Sequence, residues 1–481
     1  MNLLPSLNRF PDPVRHIHIM GVCGTGMASL AGMLKDSGYI VTGSDENVYP
    51  PMSDFLASCN IEIRKGYGPE NLSPQPDLVV VGNTIRKTNP EAQTLAELGI
   101  PYVSFPQALG HYFLADKTSL VVTGTHGKTT TSSMLATLLH KAGLTSGFMI
   151  GGLVQAFGRN YNLGSSPYFV VEGDEYDTAF FDKGPKFLHY QPQIAIVTSI
   201  EFDHADIYAD LEAIKQSFSR LVAIMPQDGC VVACFDDPVV QEIAGKAKCT
   251  VLGYGMDAGL GWSIKNLEVK PGGTYFDVVR KGMFYSSCKC PMPGRHNALN
   301  ALAVIAVLDR IGLDKEAIIA GLSSFEGVRR RQEIRGVINN ITVIDDFAHH
   351  PTAVRETLNA LKQAYGGHRL VAVFEPRTNS SRRQIFQKDY VLSFDQADLV
   401  IVREPVPLPN FPAGQLFSSK QLASDLKEKG ITALSFVNTD DILNHLQTSL
   451  IPGDVVAILS NGGFDNIHTR LLEMLGKKSK D

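Results

Sequence analysis

Residues 121–131 read Val-Val-Thr-Gly-Thr-His-Gly-Lys-Thr-Thr-Thr, an apolar run that breaks into a short glycine loop ending in Gly127-Lys128-Thr129. No other stretch restricts the fold as much. Such a loop needs a buried strand before it and a helix after it, so that unpaired backbone N–H groups point inward and can hold phosphate oxygens. Ser119 to Val122 supplies the strand and the amphipathic run from Ser132 to Lys141 the helix. In this setting Lys128 is a mobile point charge for β/γ-phosphates and Thr129 a hydroxyl for Mg²⁺. The general phosphate loop carries a glycine five positions before its Gly-Lys pair. That position is Val122 here, so Gly124-Thr125-His126-Gly127-Lys128, continued by Thr129 and Thr130, is a shortened form.

At 481 residues the chain is too long for one core, and several domains are expected. Three alternating strand–helix segments are legible. The first opens with the strand 16–20, the turn Gly21-Val22-Cys23-Gly24-Thr25-Gly26, a helix from Met27 to Ser37 and a strand at 39–43, with further strands at 78–81 and 102–103. The second holds the phosphate loop, strands at 168–171 and 194–198, and a long helix from Asn297 to Ile311. Its glycine-punctuated stretch 228–293 reads as an antiparallel insertion. The third carries strands at 341–344, 370–374, 399–402 and 455–459 and a proline-rich loop at 405–412. The expected architecture is α/β with three domains. Residues 1–116 form a Rossmann-like domain, 117–327 a central P-loop ATPase domain with a mostly parallel sheet, and 328–481 a C-terminal Rossmann-like domain.

A formal charge of −5 provides no electrostatic footprint for nucleic acid or an anionic membrane, so phosphate binding must be local. No apolar run reaches eighteen residues, and Met1 to Pro13 lacks an apolar signal core; a cytoplasmic location is expected. The seven cysteines are scattered, and Cys288 and Cys290 have no second pair to complete a metal or redox motif, which fits thiols in a reducing compartment.

Several residues carry candidate chemistry. The first glycine turn has the order G-x-x-G-x-G, with Asp45 about twenty residues on where a ribose-binding acid is expected. It reads as a nicotinamide or flavin site, as a site for another nucleotide's diphosphate, or as a tight turn that binds nothing. Glu172 ends an apolar strand and is followed by Gly173-Asp174-Glu175-Tyr176-Asp177; a Mg²⁺ ligand belongs at such a tip, while a cluster of four acids is more often a solvated turn. A second strand leads to Glu201-Phe202-Asp203-His204, so Glu172 and His204 can converge on one metal–phosphate centre. Asn297 stands at a helix start, as cap or as contact to an adenine edge. Arg331, in the run 329–331, can swing onto a phosphate when domains close. Asp345, Asp346, His349 and His350 cluster at another strand tip.

In order along the chain, GVCGTGM at 21–27, TGTHGKTT at 123–130, EGDEYD at 172–177, EFDH at 201–204, GRHNALNA at 294–301, RRQE at 330–333 and DDFAHHPT at 345–352 resemble the motifs of the Mur ligase family, the ATP-dependent amide-forming enzymes of peptidoglycan synthesis. The shortened phosphate loop is that family's form. The resemblance implies a UDP-sugar-binding first domain, with Gly21, Gly24, Thr25, Gly26 and Asp45 at the substrate. It implies ATP on residues 124–130, with Asn297 at adenine and Arg331 and Asp346 completing the nucleotide site. Thr129, Glu172 and His204 become Mg²⁺ ligands, and Lys128, Glu172, His204, Arg331 and His349 the catalytic set. Within the family, 43–52, 180–183, 375–379 and 460–464 resemble the branch that joins UDP-N-acetylmuramate to the recycled tripeptide L-alanyl-γ-D-glutamyl-meso-diaminopimelate; the rival branch adds free L-alanine to the same sugar nucleotide. Arg377 is expected on a carboxylate of the tripeptide, because its fork suits bidentate binding. Two positions depart from the pattern. Several relatives carry a carbamylated lysine where Ser219 stands, with Lys215 a poor substitute, and Ser199 replaces a frequent asparagine that contacts substrate. His204, His349 and nearby carboxylates all remain candidates for deprotonating the acceptor amine. An NAD-dependent oxidoreductase using the first glycine turn and a non-catalytic nucleotide sensor are the alternatives from other classes.

Overall fold

The computed structural model describes residues 3–477 apart from 206, 258, 260 and 407–412, so most of the proline-rich loop lies outside the described residues. Three large sheets follow one another along the chain, besides a two-stranded antiparallel one of Asp177–Ala179 and Asp182–Pro185. The first is five-stranded and wholly parallel, in the order Glu62–Lys65, Ile40–Asp45, His16–Met20, Leu78–Val81, Tyr102–Ser104. Its strand Leu78–Val81 is a Leu/Val run buried throughout and His16–Met20 is buried from Ile17 onward, as a helix-covered parallel sheet requires.

The central sheet has ten strands. Thr118–Thr123 lies between Ile194–Val197 and Tyr168–Gly173, all parallel, and Gly147–Val154 continues one flank with Arg159–Asn162 antiparallel at its edge. The stretch 228–293 corrects the sequence reading. Cys230–Cys234 and Thr250–Gly255 extend the sheet in parallel, joined by the helix Pro238–Ala244, and only Trp262–Lys270, Gly273–Arg280 and Met283–Cys290 form an antiparallel lobe. Asp237 caps that helix through Val239 N and Val240 N, and Pro238 supplies a pre-set first turn. The helix after the phosphate loop starts at Lys128, four residues earlier than the amphipathic pattern suggests, because the loop's own threonines are buried against the sheet. The helix Arg295–Arg310 is apolar almost all round and buried from Asn297 to Leu308, making it the core of the central domain.

The third sheet has six strands, with Ile341–Asp346, Val455–Leu459, Leu370–Phe374, Leu399–Arg403 and Thr432–Phe436 parallel and Glu333–Ile338 antiparallel at one edge. The linker before it is pinned to the central domain by a bridge between Val154 and Val328.

Candidate active site

Because Thr118–Thr123 is flanked by two parallel neighbours, three loops leave the same sheet edge side by side: 124–127, 173–176 and 198–204. With residues of the other two domains they wall a cavity of about 1220 Å³. The phosphate loop depends on its glycines. Gly124 and Gly127 have φ of +127° and +81°, and a Cβ would stand 2.2 Å from Thr198 Oγ1 and 2.7 Å from Asn300 Oδ1, respectively. The neighbouring strand clamps the loop: Thr125 N donates to the Ser199 carbonyl (2.8 Å) and His126 N to Ser199 Oγ (3.1 Å). Ser199 thus holds the loop main chain, a structural use of the position that the resemblance marks for substrate.

Lys128 Nζ donates to the Gly124 carbonyl (2.7 Å) and to Glu175 (3.0 Å), and His204 Nε2 reaches Glu175 at 2.9 Å. Glu175 is 2% exposed, so part of the acidic cluster is a buried relay and not a solvated turn. Burial opposes charge on all three groups. For Lys128 the carboxylates of Glu175, Asp174 and Glu172 outweigh it and raise the pKa; for Glu175, Lys128 and His204 outweigh it and lower the pKa; for His204, Glu175 outweighs it and favours the imidazolium.

Glu172 accepts from Gly151 N at 3.0 Å, and burial followed by the charge of Asp174 pushes its pKa up. The positive charges of Lys128 and Arg331 do not outweigh these effects, so a further cation would favour the ionised carboxylate. Thr129 and Glu172 offer the oxygen donors that suit Mg²⁺, whereas His204 offers a nitrogen already engaged by Glu175. All three line the main cavity. Lys215 is paired with Glu242 at 2.7 Å, and neither it nor Ser219 is on the cavity wall.

Behind the loop lies a cavity of about 640 Å³ lined by Gly127, Thr130, Asn297, Asn300, Gln332 and Asp346, with apolar walls from Val239, Tyr254 and Leu299. Asn297 does not cap its helix, whose cap is Gly294. Its amide donates to the Pro293 carbonyl (2.9 Å) and to Gln332 Oε1 (3.1 Å). Gln332 Nε2 is buried and makes no hydrogen bond among the described residues, leaving a donor suited to a purine edge. Asp346 accepts Gln332 N (2.8 Å) and Ala348 N (2.7 Å), fixing the linker against the strand tip that bears His349.

Consecutive arginines of the linker face opposite domains. Arg330 Nη2 donates to the carbonyls of Ser460 (2.6 Å) and Gly462 (2.7 Å) in the C-terminal domain, whereas Arg331 Nη2 donates to Thr129 Oγ1 (3.1 Å) in the phosphate-loop helix. Arg330 and Gln332 adopt φ of 60° and 50°, and these left-handed residues on either side of Arg331 turn it inward. His349 Nδ1 contacts the Phe347 carbonyl at 2.9 Å, so Nδ1 carries the proton and Nε2 the lone pair, while burial lowers its pKa.

The first glycine turn borders a separate cavity of about 710 Å³, with Gly21, Gly24, Asp45, Asn47, Asn83, Thr84 and Arg86 on its walls. Asp45 accepts Cys23 N and Asn47 N, both at 2.9 Å. Thr25 opens the helix Thr25–Asp36 and lines the main cavity. Gly26 packs on Phe105 and Met149 and lines neither space. Arg377 is exposed and lies against Gly462, outside the wall of the main cavity, but its neighbour Thr378 and Asn461 are on that wall. Asn461 Oδ1 is buried without a hydrogen bond among the described residues. Sequence reasoning assigned no role to Glu175, Gln332, Asn300 or Asn461; Glu175, Gln332 and Asn300 stand inside motifs it quoted, and Asn461 lies in the quoted stretch 460–464.

Sequence profiles of three domain families match in chain order: the Mur ligase family catalytic domain at 16–117, the Mur ligase middle domain at 122–308 and the Mur ligase glutamate ligase domain at 329–462. The chain is 39% identical to the UDP-N-acetylmuramate–L-alanyl-γ-D-glutamyl-meso-2,6-diaminoheptandioate ligase of Haemophilus influenzae, over 97% of this chain and 100% of that protein. It is 34% identical to the UDP-N-acetylmuramate–L-alanine ligase of Clostridium tetani, over 93% and 96%. Among solved structures, a murein peptide ligase of Psychrobacter arcticus superposes with a TM-score of 0.70 at 36% identity, covering 96% of this chain and 99% of that one. The UDP-N-acetylmuramate–alanine ligase of Thermotoga maritima superposes with 0.79 at 25% identity, covering 97% and 100%.

Proposed function

The chain belongs to the Mur ligase family, and we propose that it joins UDP-N-acetylmuramate to L-alanyl-γ-D-glutamyl-meso-diaminopimelate in an ATP-dependent amide ligation that serves peptidoglycan recycling. The observation that carries the choice of acceptor is sequence identity: 39% to the tripeptide-adding relative against 34% to the alanine-adding one, each over nearly the full chain. The higher TM-score of the alanine-adding structure does not outweigh this. A whole-chain superposition of three domains scores their mutual orientation together with the fold, whereas acceptor choice rests on side chains.

In this reading the three domains divide at 116/117 and 327/328, the cavity at Gly21 and Asp45 takes the uridine diphosphate, and the pocket at Asn297 and Gln332 takes adenine. The lactyl carboxylate attacks the γ-phosphorus, giving an acyl phosphate and ADP; the peptide amine then displaces phosphate through a tetrahedral intermediate. Approach of two anions is opposed by about 4 kcal/mol at 4 Å and an effective dielectric of 20. Lys128 from the phosphate loop and Arg331 from the linker offset that repulsion, and the preset positions of both limit reorganisation during transfer. Thr129 and Glu172 are the residues that would hold Mg²⁺, which would supply charge neutralisation for the phosphate oxygens. His349 Nε2, which makes no hydrogen bond among the described residues, receives the amine proton; His204 is held by Glu175 and serves to position Lys128. Thr378, Asn461 and the nearby Arg377 form the acceptor side. The test is mass spectrometry of the product formed from ATP, Mg²⁺, UDP-N-acetylmuramate and tripeptide, expected at the mass of the UDP-muramyl tripeptide with one ADP released per product. Hydrolysis of ATP without amide formation would refute the reading.

A further inference from the structure

At the seam between the central and C-terminal domains, beside the nucleotide pocket, three segments assemble a set of metal-ligating groups. His126 Nε2 stands 3.3 Å from Glu201 Oε2 and His350 Nδ1 stands 3.8 Å from the same oxygen; the three atoms all lie within 4.8 Å of one another. Donors around a tetrahedral zinc ion are about 3.4 Å apart, so a shift on the order of 1 Å completes the geometry. The second shell is already in place. His350 Nε2 donates to the Phe202 carbonyl at 3.2 Å, which leaves Nδ1 as the lone-pair side turned toward Glu201. Metal-bound histidines are oriented in this way, through their other N–H. Glu201 Oε2 also accepts Thr352 Oγ1 at 2.7 Å, which holds the carboxylate in position.

The His350 Nδ1 lone pair, which also accepts the helix-capping N–H of Thr352 at 3.3 Å, faces the Glu201 carboxylate. A cation between them removes that opposition. Burial, then the charge of His126, pushes His350 down to about 3; burial opposes charge on Glu201, but the hydrogen bond and charge of His126 bring it down to about 2. Both groups therefore present their metal-binding forms at neutral pH. His126 is on the wall of both the main cavity and the nucleotide pocket, so the site can be reached from solvent.

We propose that His126, Glu201 and His350 bind a borderline divalent cation such as Zn²⁺, at a position distinct from the oxygen donors Thr129 and Glu172. Two imidazoles and one carboxylate favour zinc, cobalt or nickel over Mg²⁺. His126 belongs to the phosphate loop and His350 to the C-terminal domain, so the ion ties one to the other and holds the seam shut. Turnover, which requires the domains to open and close, slows.

Metal-stripped full-length protein, with Mg²⁺ in excess, is titrated with Zn²⁺ by calorimetry and with Co²⁺ by visible absorption. One equivalent is expected to bind, with the d–d bands of a low-coordinate nitrogen–oxygen site and a higher melting temperature. His126→Gln and His350→Gln each weaken binding by about tenfold or more, whereas Glu172→Gln does not. Melting of each variant without metal establishes that it is folded, and His126→Gln, in a loop and less buried than His350, keeps the test open if His350→Gln is not. Equal affinity in wild type and both histidine variants, loss of binding in Glu172→Gln, sulfur-to-cobalt charge-transfer bands from the cysteines, or no binding at all would each overturn the proposal.

Discussion

The molecule contains two glycine turns of the same construction that meet opposite surroundings. Each follows a buried parallel strand and opens a helix: His16–Met20 leads to Thr25–Asp36, and Thr118–Thr123 to Lys128–Lys141. Each uses a left-handed glycine, Gly21 at φ +80° and Gly127 at φ +81°. At the first turn the ionisable side chains on the cavity wall are Cys23, Asp45, Glu46, Tyr49, Tyr67 and Arg86, and Asp45 is occupied with two backbone N–H groups of the turn. At the second, Lys128, Arg331, Glu172, Asp174, Glu175 and His204 converge from four separate segments. Backbone donors and a helix N-terminus suffice to hold an anion. Charges brought in from other strands are what can make an anion react. On this view the first turn holds and the second transforms.

The largest expected effect breaks the second turn chemically. Lys128→Ala lowers kcat by about 10³-fold, because charge developing in transfer loses its fixed cation, while the affinity for UDP-N-acetylmuramate measured by calorimetry stays within about twofold. Next, Gly124→Ala tests the second turn's geometry. Its Cβ meets Thr198 Oγ1 at 2.2 Å and Ser199 N at 2.9 Å in a left-handed backbone, so urea unfolding is expected to show a loss of about 3 kcal/mol. Asp45→Ala sharpens the contrast from the first turn. Freed N–H groups at Cys23 and Asn47 should raise KM for the sugar nucleotide roughly tenfold with kcat and the KM for ATP little changed.

A smaller effect concerns the hinge that lets Arg331 reach the second turn. Burial opposes charge on Asp345, but His468, then Arg330 and Arg335, hold its carboxyl below the usual 3.8. The folded pKa is depressed, so the stabilisation is present above that value and disappears as pH falls through the folded one. Asp345→Asn should therefore melt earlier at pH 7, by about 1 kcal/mol of stability, and converge with wild type in strong acid. The smallest effect is Gly26→Ala. Its Cβ meets Phe105 and Met149 at 3.6–3.7 Å, ordinary contact, and stability should stay within about 0.5 kcal/mol.

The same contrast governs what could be read from the amino acids. The second turn announced itself because strand, loop, lysine and threonine are contiguous, and Glu172 and His204 follow apolar strands whose tips must share its edge. Glu175 was hidden: an acid in a run of four gains its burial only from Lys128 and His204, which arrive from other segments. Gln332 was hidden likewise, since its neighbour Asn297 is 35 residues away. The first turn stayed ambiguous because nothing charged and contiguous marks what it binds. The stretch 228–293 misled because Thr250–Gly255 is short and glycine-interrupted, yet Asp237-Pro238 is a helix start that signals a parallel crossover. Gly26 belongs to the motif by its position in the chain, and what the sequence did not show is that Phe105 and Met149 are its neighbours.

The most direct test of the central claim is the ratio of kcat/KM for the tripeptide to that for L-alanine, measured on one enzyme preparation with saturating ATP, Mg²⁺ and UDP-N-acetylmuramate. A ratio of about 10² or more in favour of the tripeptide is predicted, since the proposed acceptor side at Thr378, Asn461 and Arg377 would be left partly unfilled by one amino acid. A ratio below one would contradict the account and place the chain with the alanine-adding ligases.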